Sequence, residues 1–201
     1  MKRLSYVIMA AAGLMLFSCG ETRTDDQRIE ADRDVSDAKE INDERLDSTT
    51  LTDNNGLFGK SDADLVVEGA ASGMAELEAA RLAKDKASNP QVKEYAAQLV
   101  KDHEAVNAAL KTVAAAKGIT LPNTVKDAQQ KDLTDLREKT GNDFDKEFMK
   151  MMENMHQDDV NRLERLAEKA DDAEIRNFAA SNLPKMRDHL EKAKSIRENL
   201  K

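Results

Sequence analysis

Residues 91–113 read QVKEYAAQLVKDHEAVNAALKTV, and this stretch decides the fold class. Apolar and small residues recur in it in alternating steps of four and three, and a histidine takes one position of the same series: Val92, Ala96, Leu99, His103, Val106, Leu110 and Val113. Such a seam keeps one narrow stripe of a helix facing its neighbours, as helices packed at small crossing angles require. The stretch therefore predicts a long helix in a bundle, with a histidine on its buried side.

Two segments further along the chain repeat this rhythm. The first runs through Met149, Met152, His156, Asp159, Leu163 and Leu166, and the second through Ile175, Ala179, Asn182, Met186, His189, Ala193, Ile196 and Leu200. A fourth long segment, rich in alanine, precedes the quoted stretch. Four amphipathic segments of similar length are typical of a four-helix bundle.

Turn signals give the predicted helix ends. Proline, glycine and short polar clusters separate long helices at 62–88, 90–117, 143–170 and 173–199, each about 27 residues or roughly 40 Å long. A shorter helix is predicted at 124–139, in the connection between the second and third long helices. No segment alternates as a strand would, so the predicted fold class is all-α.

All three histidines of the chain fall in these seams, one in each of three predicted helices. His103, His156 and His189 also lie near the middle of their helices, and mid-helix residues meet at one level in a bundle of equal-length helices. The remaining long helix carries Glu76 at its centre, among small residues that leave its carboxylate room to point inward. We therefore predict that three imidazoles and one carboxylate converge in the core.

Three imidazoles and a carboxylate are a suitable ligand set for one zinc, iron, manganese or copper ion. The predicted metal ligands are accordingly Glu76, His103, His156 and His189. The alternative is a polar layer in which hydrogen-bonded histidines fix the helix register without an ion. Other carboxylates near this layer are second choices as ligands: Glu153, Asp159 and Glu78.

The beginning of the chain, MKRLSYVIMAAAGLMLFSCG, has the pattern of an export signal. Two basic residues precede an apolar stretch that is too short to span a bilayer comfortably, so residues 1–18 are predicted to be a signal peptide. The stretch ending in Cys19 resembles the bacterial lipobox, which implies cleavage before this cysteine and its acylation. Since Cys19 is the only cysteine, it cannot form an internal disulfide. A lipid on Cys19 would make the membrane a partner of the mature protein.

The residue after the cysteine indicates whether a lipid-anchored protein would be retained in the inner membrane or reach the outer membrane. Gly20 stands where an aspartate would resemble an inner-membrane retention signal. We therefore expect an outer-membrane lipoprotein of a bacterial envelope, facing either the periplasm or the cell surface.

Residues 19–60 are predicted to be an acidic, disordered tether. Residues 20–60 contain 12 acidic and 6 basic side chains and little apolar periodicity. Such a segment buries too little surface to offset its chain entropy. Loss of residues 1–18 would remove two positive charges and change the formal net charge from -8 to -10. This charge and the absence of tryptophan exclude nucleic acid as a partner.

From residue 61 to 201 the chain is predicted to be one domain, and it resembles a known family there. The similar stretches are AASGMAELEAARLAKDKASNPQVKEYAAQLVKDHEAVNAAL, KGITLP, TGNDFDKEFMKMMENMHQDDV and AEIRNFAASNLPKMRDHLEKAK. Together they are similar to the domain of unknown function 4142 family, whose members are exported and often lipoproteins. The resemblance implies a ferritin-like four-helix bundle, and the short helix predicted at 124–139 would lie in its crossover. It implies no established activity.

Ferritin-like di-iron proteins carry a Glu-x-x-His motif on each of two helices. Here Glu153-Asn-Met-His156 fits this motif once, whereas Val100 and Met186 stand three residues before the other two histidines. The complete di-iron set is absent from the sequence, which favours a mononuclear site.

Two functions compete at this stage. The first is an envelope-anchored metal-binding lipoprotein with a buffering, sensing or oxidative-stress role. The second is a structural or protein-interaction module whose histidines form only a polar layer. The sequence favours a protein that is not an enzyme, because a buried Glu–His pair is poorly accessible to a bulky substrate. No catalytic residue is predicted.

Overall fold

The computed structural model describes residues 25–48 and 60–200, and within these ranges it contains six α-helices and no β-strand. The helices are α1 (Asp25–Ser48), α2 (Lys60–Lys86), α3 (Pro90–Ala116), α4 (Asp127–Glu138), α5 (Gly141–Lys169) and α6 (Ala173–Asn199). The all-α prediction is confirmed. All five predicted helices are present, each within three residues of its predicted ends.

Side-chain caps begin two of the long helices. Asn89 precedes α3, and its Oδ1 accepts hydrogen bonds from the N–H groups of Gln91 at 2.8 Å and Val92 at 3.4 Å. Pro90 fits the first turn because no intrahelical bond is required from its nitrogen there. Asp172 caps α6 in the same manner. The two caps fix short turns between α2 and α3 and between α5 and α6, so each of these pairs is antiparallel.

Contacts between helix ends give the relative direction of α2 and α5. Near the start of α2, Asp62 accepts a hydrogen bond from the N–H of Asp171, which follows α5, at 2.8 Å. At the other end, Asp145 in the first turns of α5 accepts one from the N–H of Ser88, which follows α2, at 2.9 Å. The start of each helix therefore lies beside the end of the other, and the two are antiparallel.

The helices α3 and α6 are antiparallel as well. Lys117, directly after α3, pairs with Asp172, directly before α6, at 2.8 Å. The four long helices therefore run up, down, down and up, and the connection containing α4 crosses the full length of the bundle. Gly118 starts this crossover with a φ of 67°, a conformation that glycine adopts without steric cost. One long crossover is the topology of ferritin-like bundles, which confirms the predicted fold.

Pro184 lies inside α6, five residues before His189. Proline lacks the N–H that would bond to the carbonyl of Ala180, so the sequence predicts either a kink or a new helix start capped by Asn182. The kink is favoured because the periodic seam continues through Pro184. The helix runs from Ala173 to Asn199 without interruption. The predicted break-free course is confirmed.

The helix α1 corrects one prediction. Residues 19–60 are predicted to be a disordered tether, but residues 25–48 form α1, which packs against α2. Val35 and Ala38 are buried in the same apolar cluster as residues of α2. A stripe with so few apolar residues gives too weak a periodicity to indicate packing from the sequence.

Hydrogen bonds to the crossover hold α1 in place. Asn42 is buried, and its side chain donates to the carbonyl of Thr120 at 3.0 Å and accepts from the N–H of the same residue at 2.8 Å. Asp34 accepts hydrogen bonds from the N–H groups of Asn123 and Thr124 at 2.6 and 2.8 Å. Polar side chains, whose abundance in the sequence indicated disorder, therefore attach α1 to the crossover.

The predicted signal peptide, residues 1–18, and the predicted lipidation site, Cys19, lie outside the described residues and stay predictions. No helix in the part of the chain that the structure describes is long and apolar enough to cross a bilayer.

Candidate metal centre

The three histidines meet in the middle of the bundle. His103 on α3, His156 on α5 and His189 on α6 are all buried, with at most 1% of each residue exposed. Their ring centroids form a nearly equilateral triangle with sides of 5.4, 5.5 and 5.2 Å. One nitrogen from each ring lies within 4.8 Å of the others. The predicted convergence of the imidazoles is therefore present.

A backbone hydrogen bond orients His156. Its Nδ1 lies 2.8 Å from the carbonyl oxygen of Met152, one turn earlier in α5. A carbonyl can only accept, so the neutral ring carries its proton on Nδ1 and has its lone pair on Nε2. That Nε2 lies 3.3 Å from Nε2 of His103. The two atoms are available either for one long hydrogen bond or for binding a common ion.

A carboxylate orients His189. Nε2 of His189 donates to Oδ2 of Asp102 at 3.0 Å. Nδ1 of the same ring is buried and has no hydrogen-bond partner among the described residues. A carboxylate that binds one imidazole nitrogen and leaves the other free is the usual outer partner of a metal-binding histidine.

Sequence reasoning missed Asp102. It directly precedes His103 and is therefore turned by about 100° around α3, toward α6. Lys185 approaches its other oxygen at 3.4 Å. The adjacent pair Asp102-His103 was the available signal, but only the helix arrangement shows that the two side chains serve different neighbours.

Tyr95 is a second group that the sequence did not indicate. Its hydroxyl donates to the backbone carbonyl of His189 at 3.0 Å. The tyrosine is almost completely buried and lies two turns before His103 on the same helix. This bond ties the backbone of α6 to α3 at the level of the histidines.

The structure places Glu76 in the same layer. Its side chain is completely buried, and the nearest ring nitrogens are Nδ1 of His103 at 3.5 Å and Nδ1 of His156 at 3.6 Å. Both distances are longer than a good hydrogen bond. Within the described residues neither carboxylate oxygen has a hydrogen-bond partner. Two orphaned carboxylate oxygens in a core are costly, and a nearby positive charge would relieve that cost.

Burial sets the protonation of the layer. It raises the pKa of Glu76 well above its usual range, and the nearby Asp159 carboxylate raises it further. Burial lowers the pKa of His156 to about 4, and it lowers the pKa of His103 and of His189 below the usual value. The imidazoles are therefore neutral at pH 7, the form in which histidine binds metals.

The second-choice ligands are divided between core and surface. Asp159 is buried and forms an ion pair with Arg162, one turn later in α5. Glu78 lies on the opposite face of α2 from Glu76 and pairs with Arg137 at the surface. Glu153 is partly exposed and pairs with an arginine of α6. Only Asp159 adjoins the histidine layer.

A small cavity opens beside the layer. Its volume is about 40 Å³, and His103, Asn107, Asp159 and Arg162 contribute its polar lining. Apolar residues of all four long helices form the rest of its wall, together with two glycines of α2. The cavity brings a polar space next to one of the three imidazoles.

The fold and the site define an all-α bundle of ferritin-like topology with a buried layer of three histidines and a glutamate. The chain belongs to the family described as Domain of unknown function (DUF4142), whose match covers residues 48–196. Comparison with curated proteins and with solved structures finds no match. The family confirms the resemblance seen in the sequence and assigns no chemistry.

Proposed function

We propose that His103, His156 and His189 bind one transition-metal ion in the core of the bundle. Metal–nitrogen bonds of about 2.0–2.1 Å at tetrahedral angles place ligand nitrogens about 3.4 Å apart and imidazole centroids about 5.2 Å apart. Here the Nε2 atoms of His103 and His156 are 3.3 Å apart, and the three centroids are 5.2 to 5.5 Å apart. The three candidate ligand nitrogens lie within 4.8 Å of one another, so ion binding would draw the third nitrogen closer. This agreement carries the proposal.

The surroundings of the rings support the same function. His156 and His189 each use one nitrogen for an outer oxygen acceptor and leave the other for an ion. Glu76, which burial keeps protonated in the metal-free protein, would become a carboxylate and supply negative charge next to the site once an ion is bound. A bound cation would offset the burial cost of that charge.

The donor set narrows the class of ion. Three imidazole nitrogens suit zinc, copper or iron, and a carboxylate at the edge of the site also admits manganese. The predicted Glu-x-x-His motif does not supply a second metal position, because Glu153 pairs with Arg197 at 3.1 Å near the surface. The proposed centre is therefore mononuclear.

The proposed setting is the bacterial envelope. An acylated Cys19 would anchor the domain to the outer membrane, and a buried single-ion site there would buffer or sense a metal or act in oxidative stress. The support is the lipobox-like stretch before Cys19. A Cys19→Ser variant should lose lipid labelling and leave the membrane fraction, whereas unchanged fractionation would contradict the anchor.

A second candidate function is a structural or protein-interaction module. The observation that favours it is that hydrogen bonds alone connect much of the layer: His156 to Met152, His189 to Asp102, and His103 to His156. In that case the rings fix the helix register. The orphaned oxygens of Glu76 are what this alternative leaves unexplained.

Elemental analysis tests the proposal. Residues 20–201 are purified without an affinity tag or chelator, beside His156→Gln and a variant with all three histidines changed to alanine, and far-UV circular dichroism checks their folding. We expect close to one metal ion per chain in the parent and none in folded variants. No bound metal, even after incubation with zinc, iron, manganese and copper, would establish the polar layer instead.

A further inference from the structure

We infer that the ion keeps one coordination position open for a small exogenous ligand, a water molecule that a small anion can replace. This inference rests on the proposed metal binding. It concerns which atoms surround the ion, and it removes Glu76 from the ligands that the sequence predicts.

The orientation of two rings places Glu76 away from the ion. The closest ring nitrogen to Glu76 is Nδ1 in both His103 and His156, whereas their Nε2 atoms face each other at 3.3 Å. Nδ1 and Nε2 lie on different sides of an imidazole. An ion bound by the two Nε2 atoms therefore has the carboxylate behind its ligands and outside the coordination shell, at distances too long for a good hydrogen bond to either ring.

His189 provides the third ligand, and the fourth coordination position of the ion remains open. Nε2 of this ring is bound to Asp102, so the unpaired Nδ1 is the ligand atom. Three nitrogens and a fourth, exchangeable ligand are the arrangement of zinc sites that bind small molecules, whereas structural zinc sites have four protein ligands.

The cavity beside His103 provides space for this exchangeable ligand. Its volume of about 40 Å³ accommodates one water molecule or one small anion. Asn107 and Arg162 line it and offer N–H donors to such a ligand. Gly69 also lines it, and a Cβ there would lie 3.5 Å from Cδ of Arg162. Alanine at 69 thus fits the helix while reducing the space.

Cobalt(II) and azide test this inference. Residues 20–201 are loaded with cobalt(II), whose visible spectrum reports its ligands, and titrated with azide; Gly69→Ala and the exposed control Ser195→Ala follow. Azide replaces water in one ligand-exchange step without oxidation or reduction. We expect a saturable spectral change in the parent and the control. In Gly69→Ala the affinity for azide should fall about tenfold, as one excess carbon causes in a tight pocket.

The outcomes separate the two proposals. Cobalt(II) that binds but shows no response to azide overturns the open position and leaves metal binding intact. A response that arises only in Glu76→Gln overturns it too, because Glu76 would then be the fourth ligand. Absence of cobalt(II) binding contradicts the proposed function itself.

Discussion

Nε2 of His103 and Nε2 of His156 lie 3.3 Å apart and join two helices that do not adjoin each other. The helices α3 and α5 stand at diagonally opposite corners of the bundle, each flanked by α2 and α6. A contact across the diagonal must pass through the central axis. The histidine layer is therefore where an ion would link the two helix pairs most directly.

Metal binding should stabilise the fold. Zinc at about 100 times its dissociation constant adds about 2.7 kcal/mol to the free energy of unfolding. For a chain of this size we expect a rise in Tm of roughly 5–10 °C. Differential scanning calorimetry with zinc and with a chelator measures the rise, and His156→Gln should abolish it. An equal rise in that variant would point to binding elsewhere.

Asp102→Asn should weaken metal binding about 10- to 100-fold, as loss of an outer carboxylate typically does. A neutral amide oxygen accepts more weakly from Nε2 of His189 than a carboxylate oxygen does, so the orientation of the ring is held less firmly. Competition with a chromophoric chelator gives the affinity. Glu104→Gln is the matched control. Glu104 lies on α3 like Asp102, but its side chain is exposed and pairs with Arg81 of α2 at the surface. Equal losses in both variants would exclude a specific role for Asp102.

The metal-free protein should lose stability as the pH falls. Burial lowers the pKa of His156 to about 4 from an ordinary value of 6.5. Between these values the unfolded chain binds a proton that the folded chain does not, so stability rises with pH in this window. The contribution of His156 to the free energy of unfolding changes by about 1.4 kcal/mol per pH unit at most.

Glu76 acts in the opposite direction, because its raised pKa makes the folded chain retain a proton. A difference measurement separates the two effects. The stability of the parent minus that of His156→Gln, from urea unfolding with a chelator present, should decrease from pH 6.5 to 4. A constant difference would mean that His156 titrates normally.

Two neighbouring glycines of α2 should respond oppositely to alanine. At Gly69 the added Cβ meets only ordinary contacts, so the change should stabilise the protein by about 0.5–1 kcal/mol through helix propensity. At Gly73 the Cβ would lie 2.2 Å from Oδ1 of Asn107, whose amide donates to the carbonyl of Gly73 at 2.9 Å. Displacing Asn107 breaks that bond and crowds the contact between the two helices, which should cost about 1–3 kcal/mol and exceed the gain from helix propensity. Denaturant unfolding gives both signs, and equal signs would contradict the packing described.

Asn42→Ala should release α1 from the bundle. The change removes two hydrogen bonds to Thr120 and leaves the backbone of the crossover unpaired, at a cost of about 1–3 kcal/mol. Hydrogen exchange should rise across α1 and stay low in α3. The exposed Asp37→Ala serves as the control. Slow exchange of α1 in Asn42→Ala would show that the Asp34 hydrogen bonds and the buried Val35 and Ala38 suffice to hold it.

The sequence predicted most of the fold because each long helix carries its own periodic seam and its own punctuation. The turn signal at residues 88–90, which ends in Pro90, predicted the first residue of α3 correctly. The docking of α1 could not be predicted, since its buried stripe is short and includes the polar Asn42. Its hydrogen-bond partner is 78 residues away in the chain.

The site was predicted only in part, for a physical reason. Helix periodicity gives the side of the helix that a residue faces, which was enough to bring His103, His156 and His189 together. It gives neither ring orientation nor the partner of a flanking group. The role of Asp102 and the surface ion pairs of Glu78 and Glu153 therefore required the helix packing.

The up-down-down-up course of the chain has a consequence for where an ion is acquired. His103 and His156 are separated by 53 residues and by the crossover, so neither the α2–α3 pair nor the α5–α6 pair alone contains all three proposed ligands. Ligand sets of this kind form only as the protein folds, and their binding energy then becomes folding energy. The compartment in which this chain completes its bundle would thus decide which metal it carries.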